Sequence, residues 1–182
     1  MSFSAKNSIQ NFILGFCFVF LLLGVAHAFQ PGEKAPDFSL PNLEGKTVSL
    51  SSYSGQVVVL ELGTTWCPGC RFQSEEIGKL VELFAGERVA IYEIFMQETA
   101  DTVRSYLGEM GLGTGHALLD DGQVQRAYNI YLIPRVLVVD ASGKVVFDRG
   151  MVKAVELEAV VRSLLKKMPK KSPEEPPGRT ES

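Results

Sequence analysis

What the chain has little of narrows its chemistry early. Its 182 residues include three cysteines, two histidines and one tryptophan, so a site needing many soft or imidazole ligands has little to draw on. Lysine and arginine form no block interleaved with aromatics, and the formal charge at pH 7 is only -3. That balance argues against nucleic acid or an anionic surface as partner. No internal repeat sets a period. With 46% hydrophobic and 21% charged residues, the chain reads as an ordinary globular protein, long enough for one domain and for two only with strain.

One long apolar run stands out, Phe12 to Ala26, preceded by Lys6 and closed by Ala26-His27-Ala28. A positive start, an apolar run and a small-x-small end predict a signal peptide over residues 1–28. The alternative is an uncleaved membrane anchor over residues 9–26. A full span takes about 20 apolar residues, and this run is shorter, with Pro31-Gly32 soon after. Either way the rest of the chain is expected outside the cytoplasm, periplasmic or equivalent, and the membrane is a partner only if the segment stays. Cleavage after Ala28 removes Cys17 and leaves Cys67 and Cys70, which in an oxidising compartment have only each other to pair with.

The remainder alternates strand and helix. Thr47 to Leu50 suggests a short strand, and Val57 to Leu62 is a nearly continuous run of β-formers fitting a strand buried on both faces. After Cys67 the period changes. Ile77, Leu80, Val81, Leu83 and Phe84 recur at helical spacing until Ala85-Gly86. Val89 to Phe95 predicts a second buried strand, Thr99 to Met110 a helix, Ala117 to Leu119 a short strand and Gln123 to Tyr128 a short helix. Arg135 to Asp140 and Val145 to Phe147, joined through Gly143, read as a hairpin, and Ala154 to Met168 as a closing amphipathic helix. The order implies one α/β domain over residues 29–168, a mixed central sheet flanked by helices. Residues 169–182, rich in Lys, Pro, Glu and Ser, predict a disordered tail.

Chemistry concentrates in Trp66-Cys67-Pro68-Gly69-Cys70, where a buried strand gives way to a helix. The unpaired N–H groups and positive dipole end of a helix start favour a thiolate. Pro68 suits the first helical position. Cys70 lies three residues on, within disulfide reach, so Cys67 can attack a disulfide and Cys70 resolve it. A mere staple is the weaker reading, since a ring this short removes under about 2 kcal/mol of unfolded-state entropy. A structural zinc needs four ligands and only His116 remains to add. Haem attachment needs His directly after the second Cys, where Arg71 stands. No metal or other cofactor is expected. Glu61 interrupts its apolar strand six positions before Cys67, and taken alone it could be a strand-end acid that reaches solvent or pairs with a Lys.

Pro31-Gly32-Glu33-Lys34-Ala35-Pro36-Asp37-Phe38, Gly55 to Leu60, Thr65 to Cys70, and Tyr128-Asn129-Ile130 through Ile133-Pro134 to Gly143-Lys144 together resemble the TlpA/ResA group of thioredoxin-like proteins, over about residues 31–168. The resemblance implies a thioredoxin-like sandwich. It implies a cis proline at Pro134, bringing the backbone of Ile133 against Cys67 as an edge for substrate chain, and a buried acid at Glu61 that takes the proton of the second cysteine. Trp66 is expected to shield the site and offer substrate a flat contact. The group often has an acid where Gln73 stands and Thr where Arg135 stands, and reducing thioredoxins carry Gly-Pro between the cysteines. A solvated side chain is expected for Arg135, and a surface or capping role for His116.

The implied activity is thiol–disulfide exchange, most simply reduction of disulfide-bearing proteins, including apocytochrome cysteines before haem attachment, with an upstream membrane thiol reductase restoring the dithiol. A thiol peroxidase of peroxiredoxin type is the alternative, suggested by the opening segment and by Thr64. The sequence has Leu60 and Glu61 where such enzymes place a proline. A non-enzymatic redox-responsive binding module is the third reading.

Overall fold

The computed structural model describes residue 29 and residues 32–169. The expected signal segment and nearly all of the expected tail lie outside the described residues. Among the described residues, no helix is long and apolar enough to cross a membrane.

A five-stranded sheet organises the chain, in the order β5-β4-β3-β6-β7. β3 (Val57–Gly63) sits in the middle, and every one of its residues is buried. It runs parallel to β4 (Val89–Met96), which is parallel to β5 (Ala117–Asp120). On its other side it is antiparallel to β6 (Arg135–Val139), which pairs with β7 (Val145–Arg149). The sheet is therefore mixed, as the element order implied. Burial on both faces explains why β3 reads as a continuous apolar run rather than an alternating one.

Alternate residues of β3 serve different cores. Val57 and Val59 pack with Val136 and Val138 beneath α1 (Pro68–Leu83) and α4 (Ala154–Lys167), against Ile77, Leu80, Leu157 and Val161. Val58, Leu60 and Leu62 face the other way, onto Phe38, Leu40, Val124 and Tyr128. Here the cover is the N-terminal segment and the short α3 (Gln123–Ala127). A third cluster joins Phe95 and Ala117 to Val103, Tyr106 and Leu107 of α2 (Ala100–Glu109).

Local chemistry sets the ends of these elements. α1 begins at Cys67, which is extended at φ -89° and ψ 118°, with Pro68 at the first helical position. Asp120 accepts the N–H groups of Val124 and Gln125, each at 2.9 Å, and so starts α3. In the β6–β7 hairpin, Asp140 accepts from Ser142 and Lys144, and Gly143 takes φ +81°, a left-handed conformation that glycine adopts without steric cost.

Two expectations change. The segment Thr47 to Leu50 is a strand only to Ser49 (β2, Thr47–Ser49), because Leu50 opens a 3-10 turn running to Tyr53. β2 pairs with β1 (Ser39–Pro41), too short to register as a sequence pattern. Arg135 is not solvated. Its guanidinium forks onto both carboxylate oxygens of Asp148 on β7, with side chains only 15% and 9% exposed. Committed to that partner, Arg135 secures the start of β6 and is not a free cation for a thiolate or an acidic substrate.

Removing one member of a buried ion pair leaves the other uncompensated. Asp148→Ala is expected to lower unfolding free energy by about 3 kcal/mol, read by urea denaturation. A change under about 0.5 kcal/mol would mean that the fork contributes little.

Candidate active site

β3 ends at Gly63, and Thr64, Thr65 and Trp66 carry the chain to the start of α1. Glu98, just past β4, holds this bridge: its carboxylate accepts the Thr65 N–H at 3.0 and 3.1 Å and the Thr65 hydroxyl at 2.7 Å. Cys67 then stands at the helix cap, half-buried, with its sulfur accepting the Cys70 N–H at 3.3 Å. A sulfur anion at this point faces the open N–H groups of the first turn. Both cysteines are free thiols. Cys70 is buried, and burial, reinforced by its contact with the Cys67 sulfur and the charge of Glu61, pushes its thiol well above the usual range.

Pro134 lies directly over this turn. The Ile133-Pro134 peptide is cis, and a Cβ placed on Gly69 would come within 3.2 Å of the Pro134 ring. The structure thus brings Cys67, Cys70 and Pro134 together. Trp66 is 75% exposed and, with Ile133, lines an open groove of about 520 Å³. Tyr131 and Leu132, 75% and 81% exposed, extend the apolar rim. Sequence reasoning missed these two, as it missed Glu98, because loop residues carry no period to reveal them.

Glu61 lies beneath the dithiol, fully buried, and burial, with the charges of Glu93 and Cys67 nearby, raises its carboxyl well above the usual range. Among the described residues its Oε1 has no hydrogen-bond partner. Gly63 explains how that atom reaches Cys70. A Cβ at Gly63 would sit 2.6 Å from Glu61 Oε1 and 2.9 Å from Cys70 Sγ, so glycine leaves open the space between carboxyl and thiol. Those two distances bound the oxygen–sulfur separation at about 5.5 Å, within proton-transfer reach through one water.

A second buried acid, Glu93, stands opposite Glu61 in the β3–β4 register. The sequence held the signal for it, an acid inside the apolar run of β4, the same signal that marks Glu61. Gln73, where the TlpA/ResA group often has an acid, is buried and accepts the Val152 N–H at 2.8 Å, joining α1 to the chain before α4. Glu76 accepts the Ala154 N–H at 2.6 Å at the start of α4. His116 is half-buried before β5, and its backbone carbonyl accepts the Glu93 N–H at 2.9 Å.

Solved structures and relatives are similar to this chain over most of its length. A crystal structure of a thiol:disulfide interchange protein of the thioredoxin family from Chlorobium tepidum TLS has a TM-score of 0.66 to this chain at 26% identity, covering 76% of this chain and 99% of that one. The thiol-disulfide oxidoreductase ResA of Bacillus thuringiensis subsp. konkukian (strain 97-27) is 26% identical over 137 residues, 75% of this chain and 78% of its own. ResA of Geobacillus thermodenitrificans (strain NG80-2) is 30% identical over 114 residues, 63% of this chain and 66% of its own. Fold, dithiol and relatives together define a thiol–disulfide oxidoreductase of thioredoxin-like fold. The chain belongs to the AhpC/TSA family, whose match spans residues 31–148.

The space at Gly63 generates a prediction. Gly63→Ala forces a methyl group between Glu61 and Cys70, and overpacking of this kind costs about 1–3 kcal/mol. The variant is expected to be destabilised to that degree in urea and to close its Cys67–Cys70 disulfide more slowly than the wild type. An unchanged closure rate in stopped flow would show that the gap has no part in the chemistry.

Proposed function

We propose that the protein reduces disulfides in protein substrates outside the cytoplasm, with Cys67 as nucleophile, Cys70 as resolving thiol and Glu61 as the acceptor of the Cys70 proton. The observation that carries this reading is the unequal placement of the two sulfurs. Cys67 is reachable at the helix cap with an N–H aimed at it, whereas Cys70 is buried above an acid.

The Cys67 thiolate attacks one sulfur of the substrate disulfide, and the other leaves as a thiolate that takes a proton. Cys70 then gives its proton to Glu61 and attacks Cys67. The Cys67–Cys70 bond forms, the mixed disulfide breaks, and the second substrate sulfur departs as a thiolate that is protonated from solvent. Two electrons pass to the substrate. Substrate chain pairs with the backbone at Ile133 beside Pro134, and Trp66, Tyr131 and Leu132 supply apolar contact. An upstream membrane thiol reductase returns the protein to its dithiol form. Apocytochrome cysteines awaiting haem are one substrate of the right chemistry.

Support for export is the pattern of residues 1–28, which would anchor the domain through residues 9–26 if left uncleaved.

The reduced protein is expected to reduce insulin, with a reduction potential nearer about −270 mV than about −120 mV. Cys67→Ser is expected to abolish the activity, and Cys70→Ser to accumulate a mixed disulfide visible by mass spectrometry under non-reducing conditions. Faster consumption of hydrogen peroxide than of insulin disulfide would move the assignment to a thiol peroxidase. Partner binding indifferent to Cys67→Ser, with no exchange activity in the wild type, would make it a binding module.

A further inference from the structure

Glu93 has no role in the reading above, yet it is a second buried acid beside the first. Glu61 and Glu93 are paired residues of adjacent parallel strands, which lie about 4.8 Å apart and turn paired side chains to the same face. Both are about 1% exposed. Among the described residues, each has one carboxyl oxygen without a partner, Oε1 of Glu61 and Oε2 of Glu93, and no cation pairs with either. On α1 the groups facing the pair are Cys67, Cys70 and the Ser74 hydroxyl, and on α2 the Tyr106 phenol. On β6 the residue opposite Glu61 is the apolar Val136. His116 enters through its backbone carbonyl, and Glu76 is turned away to Lys79 and Ala154.

The hydrogen bonds around Glu93 have a direction. Tyr106 O–H donates to Ser74 Oγ at 3.3 Å, and burial pushes the phenol up so that it keeps its proton. The Ser74 hydroxyl in turn stands beside the Glu93 carboxyl. Among the described residues Glu93 Oε2 has no partner, Glu61 is the paired residue on the neighbouring strand, and Glu61 Oε1 lies across Gly63 from Cys70.

We propose that Glu93 is a positioning residue for the resolving step: it shares one proton with Glu61, so that the pair carries a single negative charge that Glu61 presents to Cys70. The proposal rests on the dithiol mechanism above. When Cys70 gives up its proton, Glu61 takes it and the pair becomes neutral with two protons. The Cys70 thiolate then forms the bond to Cys67 while the bond to the substrate sulfur breaks. The proton leaves the pair when the disulfide is next reduced. Two like groups in one dry site titrate as a unit in two separated steps. Burial, offset in part by the Ser74 hydroxyl, pushes the Glu93 carboxyl up to about 7, and burial together with the charge of Glu93 raises Glu61 well above the usual range.

Trp66, the one tryptophan of the chain, adjoins Cys67 and reports disulfide closure by its fluorescence. Single-turnover closure after reaction with excess oxidised glutathione is followed from pH 5 to 9. The wild type is expected to show two inflections. Glu93→Gln should show one, at least about one pH unit below the upper wild-type inflection, because a lone carboxyl ionises without a second, like charge beside it. Glu93→Asp, which keeps a carboxyl, should restore the second. Glu61→Gln should slow closure about a hundredfold, and adding Glu93→Gln to it should cost little more. A Glu93→Gln profile with both inflections in place and all rates scaled equally would overturn the proposal, leaving Glu93 a packing residue. Should that variant fail to fold, carbon-13 spectra of wild-type protein labelled at glutamate carboxyls decide: two coupled titrations support the pair, and two independent ones overturn it. A wild type that exchanges no disulfide at all would instead sink the oxidoreductase mechanism.

Discussion

Enclosing β3 on both faces governs where everything else in the molecule can stand. A strand buried along its whole length needs apolar side chains in both directions, and it needs its end delivered to the surface at a fixed point. That point is Gly63, and the four residues after it place a cysteine at the first turn of α1. The dithiol is therefore a continuation of the most constrained segment of the chain. Glu98 and the Arg135–Asp148 fork act on the same junction from either side, one gripping the Thr65 backbone and the other securing the strand that follows Pro134. Rigidity here is functional, since a nucleophile and its resolving partner exchange roles within one turn of helix.

The same enclosure creates the electrostatic problem the site exploits. A carboxyl on β3 cannot reach water, and a second one on β4 stands against it. In a dry environment the charged form of either is costly, and that cost raises both carboxyls above their usual range. Cys70 shares the enclosure and is disfavoured as an anion for the same reason. The two sulfurs of one short motif thus differ through depth alone: one sits at the rim beside open N–H groups, the other three residues on at the level of the acids.

Much of this was legible in the sequence, and the parts that were not have common causes. The strands of the sheet and the helices α1, α2 and α4 announced themselves by period, and the dithiol by its junction of strand and helix. Glu61 was noticed because it broke an apolar run. Glu93 breaks its run in the same way but carries no nearby cysteine in sequence, and only the register between β3 and β4 reveals that the two acids meet. Arg135 looked solvated because its partner, Asp148, lies on the next strand, and no local pattern couples a residue to one across a hairpin. β1 holds three residues with a single buried side chain, too little to state a preference. Tyr131 and Leu132 are apolar and exposed, a combination that sequence patterns read as noise.

The contact between Gly69 and the Pro134 ring makes the two positions inside the dithiol motif unequal. A Cβ at position 69 would lie 3.2 Å from the pyrrolidine, which would have to give by a few tenths of an ångström to admit it. Position 68 is exposed and meets no such neighbour. The spacing between this turn and the loop before β6 therefore answers to the inner position of the motif, and the outer one is free to meet whatever chain approaches the sulfur.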